Sequence, residues 1–357
     1  MSFKHKIFGF IFNSVSSSNI DENLVSFIID DNKSFISNFK HVEDEFKKRG
    51  DFEFFFYNKN RLSIKDLKTL SKSKYVFLND NFLAMANMKF NEGTVITQLW
   101  HAPGAFKKFG ASSSNNKKEI ELIKKSNENI TYLINTSKNI ADFYQEAFQI
   151  DKSKIKSLGI PRMDYYFKKH DDLREKFDNR FPQAKGKKIV LYAPTFRDNE
   201  YNNDVFNFFD LDEFNDRLGE DYVLALRLHP KIKKFYEGMI GSDENLINVS
   251  GVENEQELLM ISDLLISDYS SMAVEFAALD KPVILFAYDL DNYLSNERGF
   301  YFDFDEMSPG KVVKTSDELI GCIESKDFKI NNSKFLENQF DRIDGKSSER
   351  IVDLLLK

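Results

Sequence analysis

Short apolar runs rich in β-branched and aromatic residues recur along this chain, each bounded by polar or helix-periodic segments, and that alternation constrains the fold more than any other feature. In the first half the runs fall at 7–12, 24–29, 52–57, 75–78, 94–97, 132–134 and 155–158. Each is too short for a buried helix and reads as a strand. Between them, 35–48 carries Phe35, Ile36, Phe39, Val42 and Phe46 near a 3.6-residue period and reads as a helix, as do 64–73 and 140–148. The polar stretch 112–118 (SSSNNKK) reads as a mobile loop. Regular alternation of strand and helix favours a parallel, doubly wound sheet, because parallel strands need a crossover between them.

The pattern then restarts. A charged helical segment from Asp164 to Arg180 leads into Phe181-Pro182-Gln183-Ala184-Lys185-Gly186, a plausible connector. Strands are expected at 189–192, 223–228, 246–249, 264–267 and 283–286, with helices at 255–262, 271–279 and 316–325. A last helix over 335–355 is expected to close the C-terminal side. The reading is therefore α/β, with two Rossmann-like domains, 1–163 and 164–357, facing an interdomain cleft, the arrangement called GT-B. A hydrophobic share of 41% with 36 Phe in 357 residues is ample for two cores.

Charge and cysteine usage exclude several function classes. A formal charge of −7 argues against nucleic-acid binding, which needs a basic surface to neutralise phosphates. Cys322 is the single cysteine, so no internal disulfide forms, and no Cys/His cluster has metal-ligand spacing. A cytoplasmic location fits this. The apolar run after Lys4 and Lys6 is too short for a signal peptide, and no run approaches the ~20 residues that span a bilayer. Attachment to a membrane surface stays open.

Polar residues gather where strands end, which is where α/β sheets bind ligands. After 94–97 comes QLWHAPGAFKKFG (98–110), in which His101 sits between the only Trp and a Pro-Gly turn. His101 is either a turn histidine held by backbone bonds or a working base. Lys107, Lys108, Lys117 and Lys118 nearby read as solvated rather than as contacts to anionic lipid. Gly159-Ile160-Pro161-Arg162-Met163-Asp164 is either a linker turn or a loop that presents Arg162. Tyr192-Ala193-Pro194-Thr195-Phe196-Arg197 is either a plain turn with a solvated Arg197 or a contact to phosphate or ribose. In Leu226-Arg227-Leu228-His229-Pro230, Arg227 and His229 point to one face because strand side chains alternate. They are a surface pair, or a grip on a diphosphate through charge-assisted bonds. In Ile266-Ser267-Asp268-Tyr269-Ser270-Ser271, a hydroxyl caps the following helix, and the doubled Ser could also seat a phosphate at its N-terminus. Asp289-Leu290-Asp291 and Asp303-Phe304-Asp305 read as solvated carboxylates rather than metal-nucleotide ligands. Walker, GxGxxG, HExxH and GxSxG motifs are absent.

Taken together, QLWHAPGAFKKFG, GIPRMD, YAPTFR, LRLHP, ISDYSSMAVEF, KPVILF and RGFYFDF, in that order and spacing over 24–313, resemble the CDP-glycerol glycerophosphotransferase family of teichoic acid synthesis. The resemblance implies a GT-B fold and transfer of glycerol phosphate from CDP-glycerol to a hydroxyl, with release of CMP. The acceptor would be a lipid-linked teichoic acid primer, a teichoic acid chain or a capsular polysaccharide. His101 and His229 align with the catalytic histidines. Arg162, Pro194, Thr195, Arg227, Ser270, Ser271 and Glu275 match positions that hold the donor, with Leu228 and Ala102-Pro103-Gly104 beside the histidines. No metal or other cofactor is demanded. Chain-extending members usually read HGTP after the Trp, whereas His101-Ala102-Pro103-Gly104 looks more like the short priming enzymes, as does the lack of a long extra N-terminal region. CDP-ribitol as donor, and a nucleotide-sugar glycosyltransferase on the same fold, are the alternatives.

Overall fold

A computed structural model of the chain describes residues 3–30, 35–195, 197, 204–229, 244–296, 299–304, 306–328 and 332–357. Two compact units emerge, Met1–Lys168 with Asn338–Lys357, and Lys169–Glu337. In the first, β1 (Asp21–Ile29), β2 (Glu53–Asn58), β3 (Ser73–Leu78), β4 (Val95–Gln98), β5 (Tyr132–Asn135) and β6 (Ile155–Ser157) form one sheet in the order β2-β1-β3-β4-β5-β6. Every pairing in it is parallel. In the second, β7 (Lys188–Tyr192), β8 (Tyr222–Leu226), β9 (Leu246–Asn248), β10 (Leu264–Ser267), β11 (Val283–Phe286) and β12 (Lys311–Val313) run β12-β11-β10-β7-β8-β9, again all parallel. Strand order reverses between β1 and β3 in one sheet and between β7 and β10 in the other. At such switch points the crossovers leave to opposite faces and open a crevice at the carboxyl ends of the strands.

The strands are legible because both faces are covered: β8 (YVLAL) is buried at all its residues, as parallel strands between helical layers must be. The core of the first unit joins Val25, Phe27, Tyr75 and Phe77 from the sheet to Phe39, Val42 and Phe46. Phe27 stacks on Phe56 and Phe77 at 5.0 and 5.3 Å between ring centroids.

Four expectations are corrected. Residues 7–12 lie in a helix, Phe3–Val15, rather than a strand. Burial there falls on Gly9 and Phe12, one helical turn apart, and a Cβ at Gly9 would come within 2.3 Å of Asn87. Residues 112–118 are more than a loop: a 3-10 turn ends at Ser113, and Asn116 caps a helix, Lys117–Asn127, by accepting from the Lys118 amide. The 335–355 region is two helices, Ser333–Gln339 and Ser347–Leu355. The second of these belongs to the first unit, whereas the sequence reading gave it to the C-terminal domain. Ile351 and Val352 complete the core around Phe39, Val42 and Phe46, and Asp164 accepts from the amides of Ser347 and Ser348 at 2.9 and 2.7 Å. Those amides are the free N–H groups of a helix start that has no side-chain cap of its own. Among the described residues no helix is long and apolar enough to cross a membrane.

Candidate active site

In the first unit the carboxyl ends of β3 and β4 hold His101. Its Nδ1 lies 3.3 Å from the Asn79 carbonyl oxygen. A carbonyl only accepts, so Nδ1 carries the proton and Nε2 is left with the lone pair. The residue is solvent-exposed, yet protein crowds the ring. This desolvation lowers its pKa below the ordinary 6.5, against the upward pull of the Asp80 charge and the Asn79 carbonyl. The result is a neutral imidazole near pH 7 whose basic nitrogen is Nε2. Asp80 in turn shares the Lys59 ammonium with Asp30, at 2.8 and 2.6 Å.

The chain just before His101 is strained. Trp100 has φ +60°, a conformation that costs a bulky side chain about 1–3 kcal/mol. Its amide donates to Gln98 Oε1 at 3.0 Å, and its carbonyl accepts from Asn38 Nδ2 at 2.5 Å. Arg162 Nη1 donates to the His101 carbonyl at 3.0 Å, so these two sequence-predicted residues do meet. Ala102 is half-buried, while Pro103 and Gly104 are buried. The Gly104 amide donates to Thr136 and its carbonyl accepts from Tyr144, at 3.1 and 3.0 Å. The turn is therefore built into the unit.

In the second unit Thr195 follows β7 and stands against the turn after β10, at the switch point. Its amide reaches Asp268 Oδ2 at 2.9 Å and its hydroxyl Asp268 Oδ1 at 2.5 Å. Pro194 precedes it in a buried position, with Phe196 outside the described residues. Arg197 corrects the reading of a plain turn with a solvated Arg197: its side chain is almost inaccessible and engaged by carboxylates. It is buried, bonded to Asp268 at 2.9 Å and to Asp289 at 2.8 and 3.0 Å, with its guanidinium carbon 4.9 Å from the centre of the Tyr269 ring. Burial opposes its charge, but Asp268 and Asp289 outweigh that and hold its pKa above the guanidinium norm. Asp289 is accordingly an internal counter-ion, not a solvated carboxylate. Asp303 is exposed and caps the Glu306 amide, and Asp305 lies outside the described residues. Among the described residues no group of His, Cys, Asp and Glu is arranged to hold a metal ion.

Ser270 uses its hydroxyl to cap the Met272 amide at 3.2 Å, and Ser271 opens the helix Ser271–Ala277, on which Glu275 is buried. Past β8, Arg227 donates to the Val252 carbonyl at 3.1 Å and lies 3.6 Å from Glu255. Leu228 is buried, and its amide donates to Ser250 at 2.9 Å. His229 is exposed, and Pro230 lies outside the described residues. Sequence reasoning missed Asn38, Asn79 and the counter-ion role of Asp268. Asp268 stood inside the Ile266–Ser271 motif, but nothing local marks Asn38 or Asn79.

Two doubly wound parallel units in series, with polar residues at the carboxyl ends of their strands, define the GT-B class. A solved variant of the wall teichoic acid polymerase TagF superposes with a TM-score of 0.83 at 23% identity, covering 99% of this chain and 93% of that one. The profile of the CDP-glycerol:poly(glycerophosphate) glycerophosphotransferase family matches residues 10–357, and the chain belongs to that family. It is 33% identical over 353 residues to the teichoic acid poly(ribitol-phosphate) polymerase of Bacillus spizizenii, covering 94% of this chain and 56% of that protein. It is 30% identical over 300 residues to the teichoic acid glycerol-phosphate primase of Bacillus subtilis, covering 82% and 76%. The chain spans 56 to 68% of the length of the curated ribitol-phosphate polymerases it matches.

Proposed function

We propose that the protein transfers glycerol phosphate from CDP-glycerol to a hydroxyl of a teichoic acid primer, a teichoic acid chain or a capsular polysaccharide, releasing CMP. The acceptor oxygen attacks the phosphorus that bears the glycerol. The P–O bond to CMP breaks as the new ester bond forms, and the acceptor proton passes to Nε2 of His101. The hydrogen bond from Nδ1–H to the Asn79 carbonyl carries this reading, since it leaves Nε2 able to accept a proton. General-base assistance of this sort contributes about 10²- to 10⁴-fold. Arg227, His229, Thr195, Ser271 and the helix start after Ser270 hold the diphosphate and take up charge as CMP departs. Pro194, Leu228 and Glu275 shape that side, and Arg162 steadies His101. A lipid-linked acceptor would make the protein a peripheral membrane enzyme on the cytoplasmic face.

A second donor, CDP-ribitol, is supported by a 33% identical relative named a poly(ribitol-phosphate) polymerase, while a poly(glycerol phosphate) polymerase is 33% identical as well. Purified protein offered CDP-glycerol or CDP-ribitol with a teichoic-acid-type acceptor should release CMP in step with acceptor elongation. Faster release from CDP-ribitol would shift the donor assignment. Release of a nucleoside diphosphate from a nucleotide sugar, or no CMP from either donor, would overturn the reading.

A further inference from the structure

Asn38 has no place in the chemistry above, yet it is fully buried and its amide group satisfies three distant segments. Nδ2 donates to Asn79 Oδ1 at 2.7 Å and to the Trp100 carbonyl at 2.5 Å, while Oδ1 accepts from the Arg162 amide at 2.7 Å. Those are the residue whose carbonyl orients His101, the strained residue that precedes His101, and the residue that binds the His101 carbonyl. Gln98 is also fully buried. Its Oε1 takes the Trp100 amide at 3.0 Å, and its Nε2 donates to the Asp80 carbonyl at 3.1 Å. The peptide groups on both sides of the Trp100 Cα are thus gripped by side-chain amides. Buried amides are costly unless their bonds are made, and a left-handed aromatic residue persists only when its surroundings over-determine it.

We propose that Asn38 and Gln98 are positioning residues, a pair of buried amides that clamp Trp100 in its left-handed conformation and thereby hold His101 against the Asn79 carbonyl with Nε2 presented. The inference rests on the proposed role of His101. With Asn38 altered, the Trp100 carbonyl and the Asn79 side chain lose their shared donor. With Gln98 altered, the Trp100 amide loses its acceptor. Either change releases the left-handed residue toward an ordinary conformation and swings the imidazole away from Asn79.

Two variants test this, Asn38→Asp, which keeps shape and removes the donor, and Gln98→Met, which keeps length and removes the acceptor. The first readout needs no substrate: ¹⁵N chemical shifts of His101 in histidine-labelled protein, assigned against His101→Asn. The wild type should show the Nδ1–H tautomer, and each folded variant should lose it. The second readout is steady-state transfer, with kcat expected to fall by about 10²-fold, the scale of a 1 Å misplacement, while KM for the donor stays within about twofold. If one variant fails to fold, the other decides. A folded variant that keeps both the tautomer and kcat overturns the proposal. Loss of the tautomer with kcat unchanged upholds the clamp and removes His101 from the chemistry, which separates the two readings.

Discussion

Replacing Arg197 by Gln should unfold the second unit far more readily than it weakens donor binding. The guanidinium is the cation of a buried cluster: Asp268 lies 2.9 Å from Nη2, Asp289 lies 2.8 Å from Nε, and the side chains of all three are nearly inaccessible. Removing one partner of a buried ion pair leaves a charge without compensation and costs about 3–5 kcal/mol. For a unit of this size each kcal/mol lowers Tm by about 2–4 °C, so the expected drop is roughly 6–20 °C. Asp289→Asn should cost less, since the cation keeps Asp268. Thermal unfolding followed by circular dichroism, with donor affinity measured on the same samples below Tm, gives the answer. An Arg197→Gln protein whose stability lies within about 1 kcal/mol of wild type but that has lost donor affinity would refute the structural assignment and make Arg197 a ligand contact.

Burial, and secondarily the Lys168 ammonium that donates to His41 Nδ1 at 3.0 Å, lowers the pKa of His41 from 6.5 to about 4. Between those values the unfolded chain binds a proton that the folded chain refuses. Stability should therefore fall by about 3 kcal/mol as pH drops through this window, and His41→Gln should flatten that part of the profile in urea titrations. Asp164→Ala should cost roughly 1–2 kcal/mol by uncapping Ser347–Leu355, read as faster amide exchange confined to that helix. Because desolvation lowers the pKa of His101 below 6.5, the acid limb of kcat/KM should lie below that value. A limb at or above it argues against His101 as the base.

Strands such as β10 and β11 are readable to the residue because continuous apolar runs between turn residues leave one interpretation. The helix Phe3–Val15 is not, since IFGFIF fits a strand until Asn87 is seen beside Gly9. The placement of Ser347–Leu355 depends on Asp164, more than 180 residues away in sequence. In sequence Arg197 reads as solvated or as a phosphate or ribose contact because its counter-ions lie 71 and 92 residues further on, and no local pattern announces them. The motif histidines were visible as polar residues at strand ends. What orients His101 was not, because Asn38 sits in a phenylalanine-rich helical turn and works only through residues 41, 62 and 124 positions distant.

The central claim is that Nε2 of His101 takes the acceptor proton. CMP release by His101→Ala, measured beside calorimetric titration of the same protein with the CDP-linked donor, tests it most directly. Transfer should fall by about 10²- to 10⁴-fold, the range for a lost general base, with donor affinity close to wild type. Turnover retained above about a tenth of wild type, or donor binding lost in parallel with turnover, would contradict it.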